Sequence, residues 1–239
     1  MGCLLVQTFL RKGGTLTDLS NKYAIKTNRS GKFPNLFLLK YNQIDSPMGD
    51  PIVQECRGLI LDQADNWRVV SRSFDKFFNH GEIHAASIDW ATARVQEKLD
   101  GSLCVLYHYQ GEWCVQTSGQ PDAAGQVGDT ADTFADLFWR TWAECGYPSV
   151  LNLNTETCYA FELMTKFNRV IVIHEKPRLA LIGARNRTTG EQIPVDSLSA
   201  IGWETVKSFP LQSFEDIAST FANMEPLRQE GYVVVDANF

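Results

Sequence analysis

Charged residues recur at the ends of apolar, strand-like runs in this chain: Arg57 in ECRGLIL, Lys76 in DKFFN, Lys98 in EKLDG, Glu162 in FEL, Arg185 and Arg187 in GARNR, and Glu230 in QEGYVVV. One such residue is ordinary, since a charge at a strand end is usually a solvated ion-pair partner. Cations and carboxylates placed this way repeatedly suggest a cleft that handles a polyphosphate and a metal. Lys98 stands out because Asp100 and Gly101 follow it at once. Read alone, that stretch is a surface lysine beside an Asp-Gly hairpin turn between two β-rich runs.

The elements that must position these residues are mostly strands. Leu36 to Ile44 reads as one strand. Ile52 to Asp62 and Trp67 to Phe74 read as two more around an Ala64-Asp65-Asn66 turn. RVQEKL, SLCVLYHY and EWCVQTS follow, the last two joined at Gln110-Gly111. Thr130 to Cys145 carries Phe134, Leu137, Phe138, Thr141 and Trp142 at helical spacing, with Gly146 as a stop, and predicts an amphipathic helix packed on a sheet. Cys158 to Leu163, Arg169 to His174, Arg178 to Ala184 and Tyr232 to Asp236 are strand-like, and Ser213 with Asp216 marks a helix start. The expected fold class is α+β, with antiparallel sheets and helices on their flanks.

Several site types are excluded. SGKF at Ser30 to Phe33 lacks the upstream glycine and the hydroxyl residue of a phosphate-binding loop, and no G-x-S-x-G elbow occurs. His80 and His84 are four apart, but Gly81 between them disfavours a helix and no third ligand follows at zinc spacing.

Composition sets the frame. The 239 residues, 44% of them hydrophobic, can bury a sizeable core. No run approaches bilayer length and no signal peptide is visible, so no membrane association is expected. The six cysteines include no CxxC pair, as expected of buried thiols in a reducing cytoplasm. The formal charge of −6 argues against a general polyanion binder. It hides a segregation: Lys22, Lys26, Arg29, Lys32 and Lys40 lie in an acid-free stretch, and Lys166, Arg169, Lys176, Arg178, Arg185 and Arg187 face only Glu175. These blocks read either as solvated faces or as a groove for nucleotide or nucleic acid.

At the motif level, Lys98-Leu99-Asp100-Gly101 is similar to the K-x-D-G nucleophile motif of covalent nucleotidyltransferases, which include polynucleotide ligases and mRNA capping enzymes. That motif alone is weak. The ordered set ECRGLIL, DKFFN, KLDGSL, FEL, NRVIV and EGYVV resembles the bacteriophage T4-type RNA ligase family, from about Leu36 to the end of the chain.

The resemblance implies a nucleotidyltransferase fold around an ATP cleft. It implies one adenylyltransferase domain over 1–239, with 1–90 supplying phosphate contacts and 91–239 forming the core. Catalysis would rest on Lys98 as nucleophile, presented by Asp100 and Gly101. ATP would be bound by Arg57, Lys76, Glu97, Lys98, Glu162 and Glu230. Arg57 and Lys76 would meet the triphosphate, Glu162 the ribose hydroxyls, and Glu230 a Mg2+ or Mn2+ ion, with Glu162 a further candidate ligand. The implied reaction joins RNA 5′-phosphate and 3′-hydroxyl ends through lysyl-AMP and an RNA-adenylate, in RNA or tRNA repair with cleaved tRNA among the expected substrates, in the cytoplasm of a bacterial or phage-infected cell. An ammonium cannot attack phosphorus, so the site must move a lysine of free pKa about 10.4 toward its neutral amine.

Two positions depart from the family pattern. Thr117-Ser118-Gly119 stands where a lysine often precedes the glycine, and no lysine follows Lys207. The family's terminal lysine pair and its carboxy-terminal RNA-specificity domain are therefore expected to be absent from this chain, which reads either as the amino-terminal portion of a longer ligase or as a naturally short, impaired enzyme. A nucleotide- or RNA-binding module without chemistry is the alternative these departures motivate. A capping-type guanylyltransferase is another, less well matched by ECRGLIL and DKFFN.

Overall fold

A computed structural model describes residues 3–225 and 227–237; the outer limits of the expected 1–239 span lie outside the described residues. Three antiparallel sheets organise the chain. The first runs in chain order, β1 (Lys26–Arg29), β2 (Leu36–Lys40), β3 (Arg57–Asp62) and β4 (Arg68–Ser71). The second takes β6 (Ser102–Tyr109), β7 (Glu112–Thr117), β8 (Thr157–Met164), β9 (Arg178–Asn186) and β10 (Gln192–Ile193) in the order β10-β9-β8-β6-β7, and β11 (Glu204–Thr205) adds to β9 in parallel. The third is small: β5 (Arg94–Lys98) lies between β12 (Ser208–Phe209) and β13 (Gly231–Val235).

Period-two alternation sorts the apolar residues into layers. Leu36, Leu38 and Ile60 of the first sheet meet Val105, Tyr107 and Ala160 of the second in one buried cluster, so the two sheets pack face to face. On the far side of the first sheet, Leu39, Leu59 and Leu61 pack against the amino-terminal helices through Val6, Leu10, Leu19 and Val53. On the far side of the second, Leu106, Tyr159 and Phe161 receive Leu137, Phe138 and Trp142 of a long helix. The mixed α+β class with antiparallel sheets and flanking helices is as the sequence predicts.

That long helix, α4 (Phe134–Glu144), has Thr133 as its N-cap, whose hydroxyl accepts from the Asp136 amide at 3.1 Å. Ser213 caps α5 (Phe214–Thr220) in the same way, accepting from Asp216 at 3.0 Å. Both follow the local signals. The amino-terminal helices α1 (Leu5–Arg11) and α2 (Leu16–Tyr23) were not expected. Thr15 and Asp18 form a capping box at the head of α2, a signal present in the sequence. The amides of Leu5 and Val6 at the head of α1 are satisfied only at long range, by the Glu55 carboxylate at 2.9 Å each.

Three strand expectations are corrected. Residues 52–55 belong to a short helix, α3 (Pro51–Glu55), because Asp50 accepts from the Ile52 amide and Pro51 sits at the first helical position. The strand from Leu36 ends at Lys40, short of Ile44. Arg169 to His174 forms no strand: the Ile171 and Val172 amides donate to the Asp100 carboxylate instead of to a neighbouring strand. Among the described residues, no helix is long and apolar enough to cross a membrane. All six cysteines are unpaired thiols, with Cys56, Cys104 and Cys158 buried and Cys3 exposed.

One irregularity matters for function. The β2–β3 register shifts so that Leu39 faces Leu59 while Lys40 faces Arg57, leaving Gly58 as the extra residue of a bulge at φ +75°. The Gly58 carbonyl accepts from Gln116 Nε2 at 2.7 Å, and a Cβ here would stand 3.3 Å from the Ser118 carbonyl. Gly58 is therefore needed both for its dihedral and for the approach of β7. Gly58→Ala is expected to cost about 1–2 kcal/mol, lowering Tm by about 2–8 °C in a thermal melt, whereas Gly111→Ala, in open space at a similar φ, is expected to lose only the backbone part, about 1 kcal/mol.

Candidate active site

A cavity of about 810 Å³ opens where the three sheets meet. Of the residues expected at the site, Arg57, Glu97, Lys98, Asp100, Gly101, Glu162 and Glu230 all line it. Lys98 is the last residue of β5, and the chain then leaves the third sheet to begin β6 in the second. The Asp100-Gly101 pair is thus a crossing between sheets and not a hairpin turn, since β5 and β6 do not pair.

The crossing is held by specific contacts. The Asp100 carboxylate is buried and accepts from the Ile171 amide at 2.7 Å and the Val172 amide at 2.5 Å, and its carbonyl lies 2.8 Å from His174 Nε2. Gly101 is absent from the positive-φ residues, but a Cβ on it would fall 2.4 Å from the Leu163 carbonyl oxygen. Close approach to β8, not a turn dihedral, requires glycine there. Asn168 completes the support by donating to the Leu163 carbonyl at 2.7 Å and to the Ser102 hydroxyl at 2.9 Å.

Around Lys98 the charges divide by wall. Its ammonium is ion-paired with Glu230, which immediately precedes β13, where Gly231 pairs with Lys98 in register. Glu162 projects from β8 opposite Leu103. Burial pushes its carboxyl up to about 8, the Glu230 charge adds to the rise, and the Gly101 amide, Lys98 and Arg57 oppose it. On the other wall Arg57 extends from the bulge with its guanidinium 4.5 Å from the Phe77 ring centroid. Its buried Nη1 has no hydrogen-bond partner, and burial pulls its pKa down, an arrangement that an anionic ligand would relieve.

Lys76 lies apart. It is not among the cavity-lining residues, and its ammonium donates to the Phe77 carbonyl at 2.7 Å and sits 4.4 Å from the Phe78 ring centroid. Arg185 shares Asp75 with Arg72, and Arg187 pairs with Glu156 at 2.7 Å, so both act as structural ion pairs. His80 stacks on Phe214 with centroids 3.8 Å apart.

The sequence reading missed other lining residues. Lys26 and Lys40 enter from β1 and β2, and Lys40 Nζ lies 3.1 Å from the Ser118 hydroxyl. Leu103, Ile182, Val206 and Val233 supply an apolar lining suited to a flat ring. Alternation along β6 and β9 carried a signal for Leu103 and Ile182, but no local pattern joins Lys26 and Lys40 to Lys98.

Glu162 and Glu230 could hold a divalent cation. Among the described residues no group of three His, Cys, Asp or Glu forms a closed cage. Burial favours the acid form of Glu162, so a divalent ion bound between the two carboxylates would have to displace that proton and would take its remaining ligands from water and substrate phosphate.

Because the folded protein holds a proton on Glu162 that the unfolded chain releases at a lower pH, stability falls as pH rises between about 4.5 and about 8. Glu162→Gln is therefore expected to raise Tm at pH 8.5 by about 2–8 °C without nucleotide or metal, and to leave Tm at pH 4 unchanged. Thermal melts of both proteins at the two pH values test this.

Residues 55–239 match the RNA ligase family of the T4 type. A protein of Autographa californica nuclear polyhedrosis virus, named by inference a bifunctional polynucleotide kinase/RNA ligase, is 31% identical over 253 residues, covering 98% of this chain and 35% of its own length. An RNA ligase of Rhodothermus phage RM378 is 35% identical over 163 residues, covering 55% of this chain and 37% of its own. This chain therefore spans little more than a third of the curated relatives it matches. Two forms of an archaeal ATP-dependent RNA ligase share the fold, with TM-scores of 0.63 and 0.60 at 16% identity, covering 96% and 92% of this chain and 60% and 57% of theirs. With the family match spanning most of the chain, the protein belongs to the RNA ligase family.

Proposed function

We propose that this chain is the adenylyltransferase portion of an ATP-dependent RNA ligase that joins 5′-phosphate and 3′-hydroxyl RNA ends, as in RNA repair. The observation that carries the proposal is Lys98 at the junction of three sheets, on a cavity with carboxylates on its own side and unpaired cations opposite. The adenine ring packs against Leu103, Ile182, Val206 and Val233, and Glu162 receives the ribose hydroxyls. This leaves the α-phosphate at Lys98 and directs the outer phosphates toward Arg57.

The Lys98 ammonium must first lose a proton to solvent water reaching the cavity, because only the neutral amine is a nucleophile. The neutral amine then attacks the α-phosphorus. The N–P bond forms as the bond to the bridging oxygen breaks, and that oxygen leaves on pyrophosphate with the electron pair. The proton remaining in excess on nitrogen passes to Glu230, already in contact. Arg57 stabilises negative charge gathering on the leaving group. A Mg2+ or Mn2+ ion held by Glu230 and Glu162 would supply Lewis-acid stabilisation of the same oxygens. Asp100 and Gly101 position the nucleophile by holding the crossing. The adenylate then passes to an RNA 5′-phosphate, and a 3′-hydroxyl displaces AMP.

Intact-mass measurement after incubation with ATP and Mg2+ tests the first step. A gain of one AMP is expected in the unaltered protein and none in Lys98→Ala. A gain of GMP from GTP in place of AMP would mark a guanylyltransferase, and nucleotide binding with no mass gain would mark a module without chemistry.

A further inference from the structure

Strand register places three cations side by side at one end of the cleft. Lys26 of β1 pairs directly with Lys40 of β2, and Lys40 pairs directly with Arg57 of β3. Directly opposed residues project to the same face, so the three form a row across adjacent strands spanning about 10 Å. All three line the cavity. Like charges placed directly opposite one another destabilise a sheet, and among the described residues none of the three forms an ion pair that would relieve it.

The row is graded. Arg57 is innermost, over Phe77 with one buried nitrogen unpartnered; Lys40 is half-buried against the Ser118 hydroxyl; Lys26 is exposed at the mouth. Burial pulls the Lys40 pKa down, and the Lys26 and Arg57 charges pull it further. The Gly58 bulge places Arg57 and Lys40 opposite one another. Ser118 offers Lys40 a hydroxyl and no charge at that contact.

We propose that Lys26, Lys40 and Arg57 form a cross-strand phosphate track, in which Lys40 and Lys26 bind the β- and γ-phosphates of the nucleotide and retain pyrophosphate after its transfer. The inference rests on the adenylyltransferase reading for the identity of the ligand. In the transfer itself, pyrophosphate carries off the bridging oxygen and its electron pair, and the row neutralises that charge along the path toward solvent. A row reaching beyond Arg57 also distinguishes a triphosphate from a mono- or diphosphate, because only the longer chain reaches Lys26.

The test is titration of the 239-residue protein with inorganic pyrophosphate, ATP and AMP, alongside the AMP mass-gain assay. Lys40→Gln, which keeps the stem and removes the charge, is expected to weaken pyrophosphate and ATP binding about tenfold or more and to leave AMP binding within about twofold. Lys40→Arg is expected to restore most of that loss. Lys26→Gln is expected to weaken pyrophosphate by about threefold, with a loss that shrinks as salt rises. Unchanged pyrophosphate affinity in Lys40→Gln, in a batch whose unaltered parent still gains AMP, would overturn the track and leave the adenylyltransferase reading standing. An equal loss for AMP, or a loss confined to a 5′-phosphorylated oligoribonucleotide, would also overturn it. Pyrophosphate binding that depends on Lys40, in a protein that gains no AMP, would support the track and refute the reading on which its ligand was named.

Discussion

The site depends on how residues 99–101 carry the chain from the third sheet to the second. Lys98 closes one strand and Ser102 opens the next in a different sheet, so the nucleophile candidate stands where two layers part and a cavity can form. A carboxylate buried at that crossing would destabilise it unless satisfied, and Asp100 is satisfied by two backbone amides of the 169–174 loop. The same bonds explain why that apolar loop is not a strand, with Val170, Ile171 and Ile173 left exposed. Gly101 permits the crossing to lie against β8, which brings Glu162 to the same cavity as Lys98. One local arrangement thus sets Lys98, the buried carboxylate and the adjacent loop together.

Charge across the cleft follows from sheet identity. The carboxylates come from β8 and from the residue before β13, and the cations come from β1, β2 and β3. These walls are joined by the shared cluster of Leu38, Ile60, Val105 and Tyr107, whose close packing keeps their separation fixed. A polyphosphate lying between them would meet cations on one side and, through a divalent ion, carboxylates on the other. Without ligand both walls are frustrated: Glu162 is held in its acid form by burial, and Arg57 keeps an unpartnered nitrogen. Binding the phosphates would relieve Arg57, and only a divalent ion carried with them would offset the buried Glu162 carboxylate, which is how a site of this kind gains affinity for a charged ligand despite desolvating it.

The helices serve the sheets. Phe138 and Trp142 of α4 cover one outer face, and α1 and α2 cover the other, leaving the ends of the strands available to form the cleft. Glu55 ties the head of α1 to α3, immediately before the strand that opens with Arg57. The short helix α3 and the Gly58 bulge together decide where that strand begins and what faces Lys40.

By itself the sequence determined what local chemistry encodes. The Ser213 cap, the apolar stripe of α4, the apolar runs of β6 and β8, and the charged residues ending strands were all legible, because each depends on near neighbours in the chain. The overlooked capping box at Thr15 and the Asp50-Pro51 start were legible in the same sense. The tertiary structure alone decided the rest. Asp100-Gly101 has the composition of a hairpin turn, but β5 and β6 pair with other strands, so it became a crossing. Lys76 carries a motif signal yet turns toward a backbone carbonyl beside the cleft. Lys26 and Lys40 share an acid-free basic stretch, but Arg57 lies outside it and no local pattern sets the three together. Only long-range strand register, with a bulge at Gly58, sets them in one row, because register is chosen by which faces two sheets bury against each other and not by the residues that end up at their edge.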